Sequence, residues 1–172
     1  MGKIIFITGG ARSGKSRFAL ELAGKRKGKI AFVATCKPLD REMRQRVASH
    51  QSLRPRHWQT FEESASLPAL LKKIGWRFDT IIIDCLTLWV CDFMLKGKKE
   101  ATIESEMNKI LQALKEINSR SIVVSNEVGL GIVPRNKLGR DFRDVAGRIN
   151  QIVAQKSDRV FFMVSGIPWR IK

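Results

Sequence analysis

A short glycine-rich stretch near the amino terminus has the residue types and spacing that bind phosphate. The segment Gly9–Ser16 matches the Walker A pattern Gly-x4-Gly-Lys-Ser, with Lys15 and Ser16 as its last two residues. Glycines let successive backbone N–H groups point toward one anion without a clash from a side chain. In such a loop the lysine reaches the β and γ phosphates of a nucleoside triphosphate, and the serine hydroxyl binds Mg²⁺. The segment therefore predicts a nucleotide site.

The residues on either side of this segment predict the elements that such a loop needs. Lys3–Thr8 is a short apolar run rich in β-branched residues, which favours a strand. The apolar residues of Lys15–Lys25 suit a helix. A helix that begins at the loop also directs its positive amino-terminal end at the phosphate. A chance glycine-rich turn is therefore a much weaker explanation.

Strand-like and helix-like patterns alternate along the rest of the chain. Further strands are predicted at Lys29–Thr35, Thr80–Asp84, Ser121–Ser125 and Arg159–Val164, with a short strand or extended loop at His57–Phe61. Helical patterns cover Asp40 to about His50, Leu67–Ile74, Ile103–Ile117 and a late segment marked by residues 142–153. Strands that are apolar throughout and separated by helices predict an α/β, P-loop NTPase-like fold, with a mostly parallel sheet flanked by helices on both faces. Without a repeat or a linker, residues 1–172 are predicted to form a single domain.

Asp84 is a candidate partner of the glycine-rich loop. It ends the run Ile81–Ile83, and the carboxyl ends of parallel strands are where ligands gather. A Walker B carboxylate that supports Mg²⁺ would lie there. The alternative is the amino-terminal cap of a following helix, since aspartate is favoured at that position. We favour the Walker B interpretation.

The histidines are ambiguous from spacing alone. Met43, Val47 and His50 share one face of a predicted helix, and a lone histidine among apolar residues usually has a structural role. The functional alternative is a neutral imidazole that attacks phosphorus. His57, beside Trp58, is expected to be structural.

Composition excludes several classes of protein. The chain is 44% hydrophobic and 28% charged, which is typical of a soluble globular protein. No apolar run is long enough to cross a bilayer, and no secretory signal is recognisable, so we expect a cytoplasmic protein without a membrane partner. Three cysteines without a Cys-x-x-Cys pair, and two histidines, argue against a zinc site.

The formal net charge of +16 suggests nucleic-acid binding as one possible function. The basic residues are nevertheless scattered, and no interleaved aromatic residues or recognisable nucleic-acid motif accompany them. A solvated basic surface on an enzyme of polyanionic substrates is the favoured interpretation, and nucleic acid is not an expected partner.

Several segments spread over the whole chain form a combination that is more specific than a phosphate loop alone. They are Gly9–Ser16, Ala34–Glu62, Ile83–Thr87, Ser125–Pro134, Arg140–Gln151 and Val164–Pro168. In this order they resemble the bifunctional adenosylcobinamide kinase / adenosylcobinamide-phosphate guanylyltransferase family of cobalamin synthesis.

The resemblance implies two successive reactions. The γ-phosphoryl group of ATP or GTP would pass to the aminopropanol hydroxyl of adenosylcobinamide. GTP would then guanylylate a histidine of the enzyme, with release of pyrophosphate, and the GMP would move to adenosylcobinamide phosphate to give adenosylcobinamide-GDP. The resemblance also implies Mg²⁺ and a homo-oligomer, a trimer.

The resemblance also implies the site residues. Its nucleophile falls on His50, which reverses the preference from spacing, and Lys15 is the second catalytic residue. The implied nucleotide-binding residues are Gly9, Gly10, Ala11, Arg12, Ser13, Gly14, Lys15, Ser16, Ala34, Thr35, Cys36, Gln51, Ser52, Leu53, Arg54, Glu62 and Asp84. Ser16 and Asp84 are the expected ligands of Mg²⁺. Glu62 would accept hydrogen bonds from guanine.

Two questions stay open at this level. Glu127, in the glycine-rich segment Asn126–Pro134, is either a second carboxylate of the site or part of a tight structural loop. The arginines of a later segment face either a substrate phosphate or solvent, and these are Arg135, Arg140, Arg143 and Arg148. A kinase that has lost nucleotidyl transfer is the main rival function.

Overall fold

The computed structural model describes residues 2–25, 27–35, 41, 45, 51 and 54–172. Its strands are β1 (Ile4–Gly9), β2 (Ile30–Ala34), β3 (Gln59–Glu62), β4 (Thr80–Asp84), β5 (Arg120–Val124), β6 (Arg159–Val164) and β7 (Ile167–Arg170). Its helices are α1 (Lys15–Gly24), α2 (Leu67–Ile74), α3 (Leu86–Leu95), α4 (Glu100–Glu116) and α5 (Lys137–Lys156). The predicted helix Asp40–His50 lies largely outside the described residues.

The strands form one seven-stranded sheet in the order β3-β2-β4-β5-β1-β6-β7. Every neighbouring pair is parallel except β6 and β7, which are antiparallel. The strands β1 and β2 are buried along their whole length, as expected where helices cover both faces of a parallel sheet. The predicted α/β fold with a mostly parallel sheet is confirmed.

Alternate residues of β1 enter separate hydrophobic clusters on the two faces of the sheet. Ile4 and Phe6 pack with apolar residues of α2, α3, α4 and α5. Ile5 and Ile7 pack with Ala19 and with other residues of the α1 face. This alternation follows from the two-residue repeat of a strand. The core therefore holds β1, and the loop that follows it, from both sides.

Two elements of the structure were not predicted. The helix α3 buries residues on most of its circumference, among them Leu86, Trp89 and Phe93, so its sequence lacks an amphipathic repeat. The strand β7 is exposed at all four positions and contains Pro168. Proline is tolerated on an edge strand because no neighbour needs its missing N–H group.

Candidate nucleotide site

The glycine-rich loop joins β1 to α1 in a conformation that needs glycine at two positions. Gly9 and Gly14 have φ angles of 147° and 93°, in the left-handed region. A Cβ atom on Gly9 would lie 2.5 Å from the carbonyl oxygen of Met163 in β6. A Cβ atom on Gly14 would lie 3.2 Å from Cα of Gly166. Both glycines therefore allow the loop to pack closely against the β6–β7 hairpin.

Lys15 begins α1 with its side chain folded over this loop. The residue is 7% exposed, and its ammonium donates a hydrogen bond to the carbonyl oxygen of Gly10 over 2.6 Å. Burial lowers the pKa of Lys15, while the nearby Asp84 and Cys85 raise it. Burial disfavours the ammonium of Lys15 when it has no anionic partner, because water is largely excluded from it. A phosphate bound at this position would therefore interact with a cation for which water competes little.

Asp84 ends β4 and is half-buried at the carboxyl edge of the sheet. The interpretation of this residue as a helix cap is wrong, because α3 begins at Leu86 and its cap residue is Cys85. The peptide bond between Asp84 and Cys85 is cis. Strand pairing sets Asp84 beside Ala34 of β2, and Thr35 then donates a hydrogen bond to the carbonyl oxygen of Cys85 over 2.6 Å.

Arg54 reaches the same edge of the sheet. Its guanidinium carbon lies 3.5 Å from the centre of the Phe32 ring, a cation–π contact. Burial lowers the pKa of Arg54, and the neighbouring carboxylates of Asp84 and Glu62 raise it. Glu62 ends β3, where it pairs with Ala34. The guanidinium is therefore a partly desolvated cation among the strand ends.

The structure thus brings together many of the predicted site residues. Six of these parts lie at or beside the carboxyl ends of β1 to β4. They are the glycine-rich loop, Ala34, Thr35, Arg54, Glu62 and Asp84. Gln51 contributes its carbonyl oxygen as the acceptor of a 3.1 Å hydrogen bond from the Arg54 N–H group. The predicted residues Cys36, His50, Ser52 and Leu53 lie outside the described residues. Among the described residues, no group of three or more His, Cys, Asp or Glu side chains is arranged to hold a metal ion.

The segment after β5 is held by hydrogen bonds to the glycine-rich loop, to α3 and to α5, which sequence patterns did not predict. The N–H group of Glu127 donates to the carbonyl oxygen of Gly9 over 2.8 Å. The Thr87 hydroxyl accepts a 2.6 Å hydrogen bond from the N–H group of Asn126 and lies 3.2 Å from the Ser125 hydroxyl. The Asn150 amide donates to the carbonyl oxygen of Asn126 over 3.0 Å. The one sequence signal that could have indicated these contacts is the polar residue Thr87 within the largely apolar helix α3.

The structure also separates the alternatives for Glu127. Its carboxylate accepts a 2.8 Å hydrogen bond from the N–H group of Gly129, two residues further along. This local turn supports the interpretation of Glu127 as part of a structural loop.

Two of the late arginines have structural partners. Arg140 donates to the carbonyl oxygens of Pro134 and Arg135. Arg148 lies 3.5 Å from Glu100 of α4. Arg140 therefore joins α5 to the segment that precedes it, and Arg148 forms an exposed ion pair with α4.

Replacing Thr87 by valine should test how the segment after β5 is held. The substitution keeps the shape of the side chain but leaves the Asn126 N–H group and the Ser125 hydroxyl without this partner. We expect the free energy of unfolding to fall by about 1–3 kcal/mol, as measured by urea denaturation. Thr102→Val is the control, because Thr102 also lies in the first turn of a helix but is exposed. Equal losses in the two variants would contradict the assignment.

Together, the sheet order, the glycine-rich loop and the carboxylate at the end of β4 define a P-loop nucleotide-binding protein. The fold resembles a prototypical ATPase of a bacterial type III secretion system, with a TM-score of 0.57 and 13% identity over 94% of this chain and 52% of that chain. It also resembles the RadB recombinase, with a TM-score of 0.54 and 16% identity over 94% of this chain and 74% of that one. These likenesses concern the fold alone.

The family follows from sequence. Residues 5–171 match the cobinamide kinase / cobinamide phosphate guanyltransferase family, and the chain belongs to it. The bifunctional adenosylcobalamin biosynthesis protein CobP of Pseudomonas aeruginosa is 40% identical over 96% of this chain and 95% of its own length. The corresponding CobU protein of Salmonella typhimurium is 39% identical over 98% and 99%, and that of Escherichia coli is 36% identical over the same shares. No helix among the described residues has the length and apolarity needed to cross a bilayer.

Proposed function

We propose that this protein phosphorylates adenosylcobinamide with ATP or GTP and then transfers GMP from GTP to adenosylcobinamide phosphate. The observation that carries the proposal is that the buried Lys15 of the glycine-rich loop and the Asp84 carboxylate at the end of β4 lie at the same edge of the sheet, in a chain of this family. The products of the second reaction are adenosylcobinamide-GDP and pyrophosphate.

The phosphoryl-transfer half rests on the loop. Backbone N–H groups of Gly9–Ser16 and the amino-terminal end of α1 would surround the β phosphate, and the Lys15 ammonium would neutralise charge on the transferred group. The Ser16 hydroxyl and the Asp84 carboxylate are oxygen donors suited to Mg²⁺, which usually keeps water and phosphate ligands as well. When bound, Mg²⁺ would neutralise charge on the phosphate oxygens. The protein need not supply a larger cluster of ligands.

The guanylyl-transfer half is proposed to use His50 as a covalent carrier. A neutral imidazole would attack the α phosphorus of GTP, pyrophosphate would leave, and the phosphoramidate would then pass GMP to the substrate phosphate. Arg54 supports this step, since its partly buried guanidinium can neutralise charge on the α phosphate. Splitting the transfer in this way lets one nucleotide site serve both halves.

Glu62 is the proposed reader of guanine. Its carboxylate ends β3 beside Arg54, and an acceptor oxygen there would pair with the N1–H and amino groups of guanine. Adenine offers no such pair of donors on that edge. The carboxylate would therefore favour GTP over ATP in the second reaction.

The protein is further proposed to be a cytoplasmic homotrimer. The edge strand β7 supports association, because Ile167 and Trp169 are 69% and 65% exposed and no further strand covers that edge within the described residues. Exposed apolar edge strands are surfaces at which chains associate.

Product analysis tests the proposed function directly. The purified protein is incubated with Mg²⁺, GTP and adenosylcobinamide, and the corrinoid products are identified by mass spectrometry. We expect the phosphorylated corrinoid first and the GDP-linked corrinoid later, with pyrophosphate released in equal amount. Accumulation of the phosphate without any GDP-linked product would leave only a kinase. Absence of both products, with binding to nucleic acid that weakens steeply as salt rises, would favour the nucleic-acid alternative.

A further inference from the structure

The loop after β5 holds large apolar side chains in solvent. Leu130, Ile132 and Val133 are 80%, 97% and 56% exposed, and we call these three residues the apolar loop. Single exposed apolar residues are common on protein surfaces, whereas a contiguous group marks a binding surface. The apolar loop is therefore a candidate for contact with another molecule.

The apolar loop lies beside the nucleotide site because of the order of the strands. Strand β5 lies between β4, which ends at Asp84, and β1, which leads into the glycine-rich loop. The segment after β5 consequently leaves the sheet between these two parts of the site. The hydrogen bond from the Glu127 N–H group to Gly9 joins the segment to the glycine-rich loop. A molecule on the apolar loop would approach the transferred phosphoryl group from this side.

Both ends of the segment are held in place. At the first end, the Thr87 hydroxyl accepts a hydrogen bond from the N–H group of Asn126. At the second end, the Arg140 guanidinium donates a hydrogen bond to the carbonyl oxygen of Pro134. The side-chain oxygen of Asn136 accepts a 2.7 Å hydrogen bond from the N–H group of Gly139. Because hydrogen bonds hold both ends of the segment, the structure presents the apolar loop to solvent in a defined position.

We propose that the apolar loop binds the corrin ring of the acceptor substrate, an inference that rests on the proposed function. Phosphate groups, Mg²⁺ and pyrophosphate are polar and would gain nothing from three exposed aliphatic side chains, and the proposed place of the guanine base is at Glu62 on β3, three strands away from β5 in the sheet. A corrin is a broad ring whose edges and faces carry methyl and methylene groups, so it offers the apolar area that such side chains can cover. The polar aminopropanol arm would then extend from the ring toward the glycine-rich loop.

Serine substitutions of the apolar loop test this inference by equilibrium dialysis. The variants are Leu130→Ser and Ile132→Ser, and the control is Leu95→Ser, since Leu95 is 58% exposed at the far end of α3. Cobinamide is followed by its visible absorbance and GTP by radioactivity. In each variant of the apolar loop we expect the Kd for cobinamide to rise about tenfold, because an aliphatic contact is lost, while the Kd for GTP and all binding by Leu95→Ser stay unchanged.

Several results would overturn the inference. Unchanged cobinamide binding in both variants would exclude the contact, and equal losses of GTP and cobinamide binding would mean that the loop merely supports the nucleotide site. A smaller molar mass of the variants by light scattering would instead identify the apolar loop as a contact between copies of the chain. If the unsubstituted protein bound no cobinamide, the proposed function itself would fail, whereas normal binding by that protein and by the variants would refute only the role of the loop.

Discussion

Replacing His50 by alanine is expected to abolish covalent labelling of the protein by α-³²P-GTP while phosphoryl transfer to cobinamide continues. The reason is chemical: without the imidazole, the α phosphorus of GTP has no proposed nucleophile, whereas the γ-phosphoryl group is transferred directly to the substrate hydroxyl. The measurement is radioactivity retained after denaturation in the presence of Mg²⁺. In the unsubstituted protein the label should be acid-labile and alkali-stable, as a phosphoramidate is.

The chain offers a matched control for this experiment. It contains two histidines, and the second, His57, is exposed shortly before β3. His57→Ala should be labelled normally. Retention of label in His50→Ala, or its loss in His57→Ala, would show that the nucleophile is a different residue. Loss of phosphoryl transfer together with labelling would point to a structural role of His50.

Replacing Lys15 by methionine is expected to lower kcat for phosphoryl transfer by about 10²–10³-fold. The side chain keeps its length but loses the positive charge of the residue that begins α1 and folds over the glycine-rich loop. Removal of a preorganised charge that acts on a developing anion typically has an effect of this size. Steady-state transfer of γ-³²P from GTP to cobinamide gives kcat directly.

The stability of this variant separates a catalytic role from a structural one. Because burial lowers the pKa of Lys15, the protein disfavours the charged ammonium there, and an apolar side chain should fold at least as well. Lys27→Met is the control, since Lys27 is exposed in the connection between α1 and β2. A decrease in kcat of less than tenfold for Lys15→Met, or an equal decrease for Lys27→Met, would contradict the assignment.

The parts of the fold that sequence predicts are those with a local signal. The β-branched apolar run Ile81–Ile83 favours a strand buried on both faces, and the glycines and lysine of Gly9–Ser16 match the observed loop. The helix α3 has no such signal, because its neighbours bury it almost all round and remove the amphipathic pattern. The strand β7 forms because β6 offers an unpaired edge, which its own sequence does not reveal.

In the candidate site, too, residues with a local sequence signal were predicted and residues that depend on contacts distant in sequence were not. Lys15 and Asp84 are predictable because one belongs to a motif and the other ends a strand. Thr87 and Asn150 were missed because their partners near Asn126 are distant in sequence and depend on how helices meet the sheet. Arg140 donates to backbone carbonyl oxygens, and no charge pattern distinguishes an arginine used in this way from one that binds a ligand.

The packing of the glycine-rich loop has a consequence for how the chain acquires its function during synthesis. Strand β1 leaves the ribosome before the other described strands, yet its partners in the sheet are residues 121–124 and 159–163. The loop itself is closed by a 3.0 Å hydrogen bond from the Gly166 N–H group to the carbonyl oxygen of Ser13. Such non-local contacts form late, since a long stretch of chain must be ordered before they can be made. The nucleotide site is therefore completed only when the last hairpin joins the sheet, so nascent chains that end before it lack a finished phosphate loop.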